Sequence, residues 1–369
     1  MKIIRASLHE VTNTLINPFR ASSHATQELH HILVRLEDES GVVGWGESAT
    51  LQDPYYLGET TETAWHILRD FCLPRVLGRS WSSIEELVGL YAPVKGNTFA
   101  KSGIEMAAWD LLGRARGTSV AELLGGTRTE IESGVSLGIE PDVDRLLDLI
   151  GRYLSEGYRR VKLKIAPGMD VAVVERVRAA FPDVPLMVDA NAAYTLEDTA
   201  HLQRLDAFDL MMIEQPLDYA DIREHARLQR ELRTRVCLDE SLRSARQAAD
   251  ALELGSCKVV NVKVARVGGL LEAKRVHDVC QARGVPVWCG GMHDFGIGRA
   301  ANIALASLPG FSIPGDVSGF DKYFLEDIVE PPIVARSGAI LVPFDRPGLG
   351  YEPDLERIER RTVRRHVAS

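Results

Sequence analysis

Residues 159–165 (RRVKLKI), 185–191 (PLMVDAN), 210–216 (LMMIEQP), 235–241 (RVCLDES) and 259–265 (VVNVKVA) are five short, apolar, β-rich runs. Each carries a charged residue in the same phase. Lys164, Asp189, Glu214 and Asp239 stand 25 positions apart, and Lys263 follows 24 later. A strand and a helix repeating with a period near 25 is the length of one βα unit in a parallel barrel. In such a barrel the C-terminal strand ends share one rim, where function is built. The phase therefore predicts three carboxylates on three successive strand ends, with a lysine on the strand at either side.

Working outward, the repeat extends from about residue 130 through eight runs. They begin near Ser133 (SGVSLGI), Arg159, Leu186, Leu210, Arg235, Val259, Val285 (VPVWCGG) and Phe311 (FSIPGD). Helical patterns lie between them. VDRLLDLIGRYLSEG has apolar residues at three- and four-residue steps and ends at Gly157. SARQAADALELG offers Ser244 as N-cap and Gly255 past its end. Eight strands with right-handed crossovers close into a barrel.

The first 125 or so residues read differently. KIIRASLHEVTNTL and HHILVRLEDESGVVGWGES alternate like a β-meander, with a Gly-rich turn expected at 41–46. The helices TETAWHILRDFCL and AKSGIEMAAWDLLGRARG follow, an α+β unit ahead of the barrel. The boundaries drawn are 1–125, 126–320 for the barrel, and 321–369 for a C-terminal segment. In that segment GAILVPFDRPGLG is expected to return as a strand to the N-terminal unit. No low-complexity linker separates the parts, so the site is expected at their junction.

Composition is that of a globular enzyme, with 45% hydrophobic and 26% charged residues. A net charge of −9 argues against nucleic acid or an anionic membrane as partner. No stretch approaches the roughly 20 apolar residues of a membrane span. MKIIRASLHEV alternates like a strand and lacks the features of a signal peptide. Cys72, Cys237, Cys257, Cys280 and Cys289 form no C-x-x-C pair, so neither a disulfide framework nor a zinc site is expected. A cytoplasmic location is the simplest expectation.

Asp189, Glu214 and Asp239 are hard oxygen ligands, and no Cys or His shares their rhythm. That donor set suits Mg²⁺, or Mn²⁺, with positions left for water and substrate oxygens. A lone Asp at a strand end is commonly just a helix cap. Three in phase at one rim point instead to a shared site. Lys162 and Lys164 form a K-x-K whose side chains both point into the barrel. A buried lysine beside a divalent cation has its pKa pushed down and becomes a base near neutral pH. Lys263 faces the pair from the sixth strand. The simpler alternative is that these lysines only neutralise the carboxylates. A carbon acid beside a carboxylate resists deprotonation because a dianion forms, and a divalent ion relieves that cost by several kcal/mol. The reading is abstraction of a proton α to a carboxylate from a small-molecule substrate.

With these residues in place the chain resembles the enolase superfamily, in its muconate-lactonizing subgroup. More closely it is similar to the N-acylamino acid racemase / o-succinylbenzoate synthase family. The matching stretches include PFR at 18–20, GWGE at 44–47, KGN at 95–97 with AKSGIEMAAWD at 100–110, GVSLGI at 134–139, and GYRRVKLKI at 157–165. They continue as VDANAAYTL at 188–196, IEQPL at 213–217, CLDES at 237–241, NVKVARVGG at 261–269, VWCGGM at 287–292 and GRAANIALASLPGF at 298–311. The pairing of Lys or His bases with Mg²⁺ is a known trait of that superfamily. The resemblance implies an α/β chain with a modified TIM barrel of (β/α)7β type and an N-terminal α+β capping domain. It implies Mg²⁺ on Asp189, Glu214 and Asp239, and Lys164 and Lys263 as the acid/base pair. Lys162 would hold the substrate carboxylate, and Asn191 would support the metal and substrate. Ser136, Gly291, Met292, His293 and Asp316 would line the substrate end. Glu240 and Arg266 would stand one layer behind. Segments near 16–27 and 50–60 correspond to capping loops that shape specificity, and relatives suggest a homo-oligomer. Dipeptide epimerase or cycloisomerase activity in a re-aimed pocket is the alternative.

Departures from the family pattern fall on the substrate side. His293-Asp294-Phe295 stands where an aliphatic residue and Glu are usual, and Ser23-His24 where Phe-Gly is expected. GIGRAA at 296–301 is a partial dinucleotide fingerprint that the barrel period explains as a seventh unit, whose helix start remains a candidate for a polar substrate group. His30 and His31 are expected on a surface strand.

Overall fold

The computed structural model describes residues 1–22 and 24–369. Strands Ile3–Arg20, Ala25–Asp38 and Val43–Ser48 form the expected meander, and Thr362–Ala368 adds antiparallel beside the first. The expected Gly-rich turn is shorter than 41–46, because only Gly41 turns the chain (φ 85°) while Gly44 and Gly46 lie inside the third strand. Their role is close approach. A Cβ on Gly46 would meet the Gly103 carbonyl oxygen at 2.1 Å, and one on Gly44 the Ala107 oxygen at 2.3 Å. Helix Thr98–Arg116 thus lies directly on the strand backbone. Gly46→Ala is expected to cost about 3 kcal/mol by overpacking, read as a lowered denaturation midpoint. An unchanged midpoint would mean that the helix can lift away freely.

The barrel strands are Val135–Leu137, Val161–Lys164, Leu186–Asp189, Ile213–Glu214, Val236–Leu238, Val259–Val262 and Val287–Cys289, parallel and in sequential order. The eighth run is not a full strand. Phe311 bridges Val287 and Gly315 bridges Ser133, both parallel, and these contacts close the ring. Seven helical connections and eight strand positions make the (β/α)7β barrel. The helices Val143–Ser155 and Ala245–Leu254 form as expected, the latter capped by Ser244 with Gly255 left-handed past its end.

Alternation explains the interior. Val161, Leu163, Leu186, Val188, Ile213, Val236, Leu238, Val260 and Val262 belong to the main core cluster. The alternate residues Met187, Met212, Cys237, Val259 and Trp288 form a separate buried cluster. Further toward the C-terminal rim, the same parity presents Lys164, Asp189, Glu214, Asp239 and Lys263.

GAILVPFDRPGLG does not return to the N-terminal sheet as a strand. Ala339–Leu341 pairs with Glu130–Glu132, and the strand that joins the sheet is Thr362–Ala368. Its strict alternation, with a half-buried side chain every second residue, suits a sheet edge. All five cysteines are free and buried. Among the described residues no helix is long and apolar enough to cross a membrane.

Candidate active site

The pocket at the barrel rim is roofed by the N-terminal unit. Phe19, Ala21, His24, Leu51 and Tyr56 cover Ser136, Lys162, Lys164, Asn191, Lys263, Gly291, Met292, His293 and Asp316. Ser23 lies outside the described residues.

Strand register sets the floor. Lys164 is opposite Asp189, and Asp189 opposite Glu214. Lys164 Nζ donates to Asp189 Oδ2 at 2.6 Å and to Asn191 Oδ1 at 2.5 Å. Lys162 Nζ lies 2.6 Å from Asp316, 3.0 Å from Glu214 and 3.2 Å from Asp189, and 4.9 Å over the Trp288 ring. Across the barrel, Lys263 Nζ is 2.8 Å from Asp239 Oδ2. Arg266 lies under Asp239 and donates to its Oδ1, so lysine and arginine grip one carboxylate from two sides. Arg266 also donates to the Leu242 and Asn261 carbonyls at 2.7 and 2.6 Å. Glu240 accepts from Asn191 Nδ2 at 2.9 Å.

Electrostatics follow from this packing. Burial opposes charge on Lys162 and Lys263, yet carboxylates (and Tyr56 for Lys263) outweigh it and raise both pKa values above the usual lysine range. That is the reverse of the lowering expected beside a cation, because here the carboxylates are themselves the lysines' partners. Asp189 is held below the usual range, burial being outweighed by Lys164 and Lys162. Glu214 is raised by burial and by Asp189, and Glu240 is pushed up to about 7 by the same two causes.

Among the described residues no three acidic or histidine side chains converge on one point as they lie: Lys162 bridges Asp189 and Glu214, while Lys263 and Arg266 hold Asp239. The donor set nonetheless fits a hard divalent ion. Asp189, Glu214 and Asp239 are all buried at adjacent strand ends, and Glu240 Oε2 is buried with no hydrogen-bond partner among the described residues. The cluster carries more acidic oxygen than its lysines satisfy.

His293 is part of the wall. It has φ 57° and stands edge-on to Phe19 at 4.5 Å and Tyr323 at 5.0 Å. Burial, then Lys322 and Lys164, lower its pKa to about 3, so it packs as a neutral ring. Asp294 Oδ2 accepts from the Met292 N–H and Asn302 Nδ2, both at 2.9 Å. Asp316, expected at the substrate end, also takes Arg160 at 2.7 Å.

The two histidines differ from expectation. His30 is half-buried against Glu10, and His31 is wholly buried, stacked on Phe295 at 4.2 Å. His31 Nδ1 is 2.7 Å from Glu47 Oε1. Glu47 in turn accepts the N–H groups of Phe295 at 2.8 Å and Gly298 at 2.7 Å. The start of helix Gly296–Ala306 is therefore taken by a carboxylate of the N-terminal unit and is closed to substrate. Glu47→Ala would orphan two buried N–H groups and is expected to cost about 3 kcal/mol. Thermal unfolding checks this, and an unaltered melting temperature would rule out the cap.

Tyr56 was not singled out from the sequence. Its hydroxyl donates to Asp239 Oδ1 at 3.1 Å and accepts from Lys263 at 3.0 Å, and Lys263 lies 4.5 Å over its ring. The only prior signal was its place in the 50–60 capping segment. Asn261, which donates to Glu214 Oε1 at 2.6 Å, was likewise missed, although strand parity places it inside.

Comparison with known proteins agrees with this architecture. Residues 3–125 match the family "Mandelate racemase / muconate lactonizing enzyme, N-terminal domain", and residues 145–358 match "Enolase C-terminal domain-like". An o-succinylbenzoate synthase of Geobacillus kaustophilus is 50% identical over 94% of this chain and 92% of its own. An N-succinylamino acid racemase of Amycolatopsis sp is 47% identical over 98% of both chains. A crystal structure of an enolase-superfamily member from Listeria innocua superposes with a TM-score of 0.96 at 39% identity, covering 100% of this chain and 99% of the other.

Proposed function

Because the chain belongs to the mandelate racemase / muconate lactonizing enzyme family of the enolase superfamily, we propose that it removes the proton α to a carboxylate, as an N-succinylamino acid racemase and o-succinylbenzoate synthase. The observation that carries this reading is the pair Lys164 and Lys263, on opposite walls of one pocket over a floor of buried carboxylates. Two bases facing one carbon from opposite sides are what inversion requires.

In racemisation one lysine Nζ takes the α-proton and the other returns a proton to the opposite face. In o-succinylbenzoate formation Lys164 takes the α-proton and then passes it to the departing hydroxyl on the same face, so that the C–O bond breaks with loss of water, and Lys263 stays protonated beside the developing charge. Tyr56 holds Lys263 in place, and Asn191 does so for Lys164. Phe19, Leu51 and Met292 keep bulk water from the reacting carbon. Mg²⁺, or Mn²⁺, held by Asp189, Glu214 and Asp239, would supply the positive charge that makes a second negative charge on the substrate carboxylate tolerable. Taking up those carboxylates would also weaken part of what raises Lys162, while Asp316 beside Lys162 and Tyr56 and Glu240 beside Lys263 would stay in place.

The reading of a dipeptide epimerase is weaker, since Asp294 Oδ2 is already engaged by the Met292 N–H and Asn302 Nδ2. The test is proton NMR in D₂O with Mg²⁺ and N-succinyl and N-acetyl amino acids. Loss of the α-proton signal is expected. No exchange across the panel, together with no product from the cyclohexadiene precursor of o-succinylbenzoate, would overturn the reading.

A further inference from the structure

Beside the first barrel strand a second cavity of about 590 Å³ adjoins the pocket, with Phe19, Ser136 and Tyr323 lining both. Its charged lining is Arg20, Arg145, Arg152 and Lys322 against a single carboxylate, Glu140. Glu140 is spent on Arg145 at 3.4 Å, and Arg152 reaches Glu156 at 3.6 Å along its own helix. Among the described residues Arg20 and Lys322 pair with no carboxylate. Lys322 is half-buried and donates to the Ser136 carbonyl at 3.3 Å and the Tyr323 hydroxyl at 3.0 Å, which puts its ammonium at the partition between the two cavities.

The chain as a whole carries a charge of −9, so a chamber with four cations and one anion is a local reversal of sign. Such a concentration of positive charge at the side of a pocket selects and steers an anion. The chamber is also long enough for methylene groups, with Ile139, Leu146 and Leu149 along its wall. Ser136 is the strand partner of Lys162, so a group leaving the pocket past Ser136 runs from the barrel interior toward these cations.

Resting on the acylamino acid reading above, we propose that this chamber seats the far end of the N-acyl group. It takes acyl chains that end in a carboxylate, including chains longer than succinyl. The carboxylate lies among Arg20, Arg152 and Lys322, and the methylene groups pass between Phe19 and Tyr323.

The test compares kcat/KM for N-succinyl, N-glutaryl and N-adipoyl derivatives of one amino acid with their terminal amides, which keep the length and lose the charge. The carboxylates are expected to be favoured by about tenfold or more. The glutaryl and adipoyl compounds should be processed at least as well as succinyl. In Arg145→Glu/Arg152→Glu, and separately in Lys322→Met, the carboxylate-to-amide ratio should fall toward one. High salt should weaken it in the unaltered protein. Arg246→Glu, on an outer helix, should leave the ratio alone. Because the readout is a ratio within each variant, a smaller folded fraction does not alter it. A ratio that persists in both chamber variants, or a refusal of glutaryl and adipoyl groups while succinyl is racemised, would overturn the proposal and leave the assigned chemistry standing. Absence of turnover with every N-acyl compound would instead bring down both.

Discussion

Lys164→Ala and Lys263→Ala are each expected to lower racemisation at least about 1000-fold, within the range that a positioned acid or base contributes. The reason is geometric. Lys164 leaves the second barrel strand and Lys263 follows the sixth, so the two ammonium groups face each other across the pocket. Inversion uses both, and neither can reach the face served by the other. The single variants should therefore separate two events. Each should still exchange the α-proton of the enantiomer that faces its remaining lysine, while interconversion of enantiomers stops. In o-succinylbenzoate synthesis the two should differ, with Lys164→Ala losing the base and Lys263→Ala losing only a cation beside the developing charge. Circular dichroism and Mg²⁺ titration should be close to wild type, since both lysines line the pocket, where water can take the place of the ammonium group. Racemisation near the wild-type rate in either variant would sink the two-base scheme.

Glu214→Gln is expected to be as damaging by a different route. Glu214 is fully buried, receives Asn261 Nδ2 on one oxygen and Lys162 on the other, and sits in register beside Asp189. Neutralising it removes one of three proposed ion ligands from the middle of the row, and the several kcal/mol that a divalent ion supplies correspond to about 1000-fold in rate. Isothermal titration should show Mg²⁺ affinity falling with activity, and EDTA should silence the unaltered enzyme reversibly. Activity that survives exhaustive chelation would show that the lysines alone carry the charge. Stability should move the other way or stay level, because the variant removes a carboxylate that burial and Asp189 already disfavour.

The interior of the barrel was open to reading because it depends on two short-range regularities. A period near 25 sets the rise from one strand to the next, and alternation decides which residues face in. Together they told that Lys162, Lys164, Asp189, Glu214, Asp239 and Lys263 share one enclosed rim. Two residues before Lys263, the same parity also contains Asn261. The glycines of GWGE were read as a turn because glycine is ambiguous alone, and only the helix lying on the strand shows that they are there for close approach.

What the amino-acid order determined by itself was the set of residues that face inward, since that follows from local backbone geometry. What only the tertiary structure decided was how distant segments use each other. Glu47 caps a helix about 250 positions away, with 248 residues separating it from Phe295, and this closes a site that the helix start alone would have offered. His31 is buried because the barrel covers a strand face that alternation could identify but could not cover. Tyr56 reaches Lys263 across a separation of 207 residues, and residues 311–316, which the period marks as an eighth run, close the barrel only through isolated bridges. Such contacts leave no periodic trace, because they arise from two surfaces meeting, and each surface satisfies its own local rules without naming its partner.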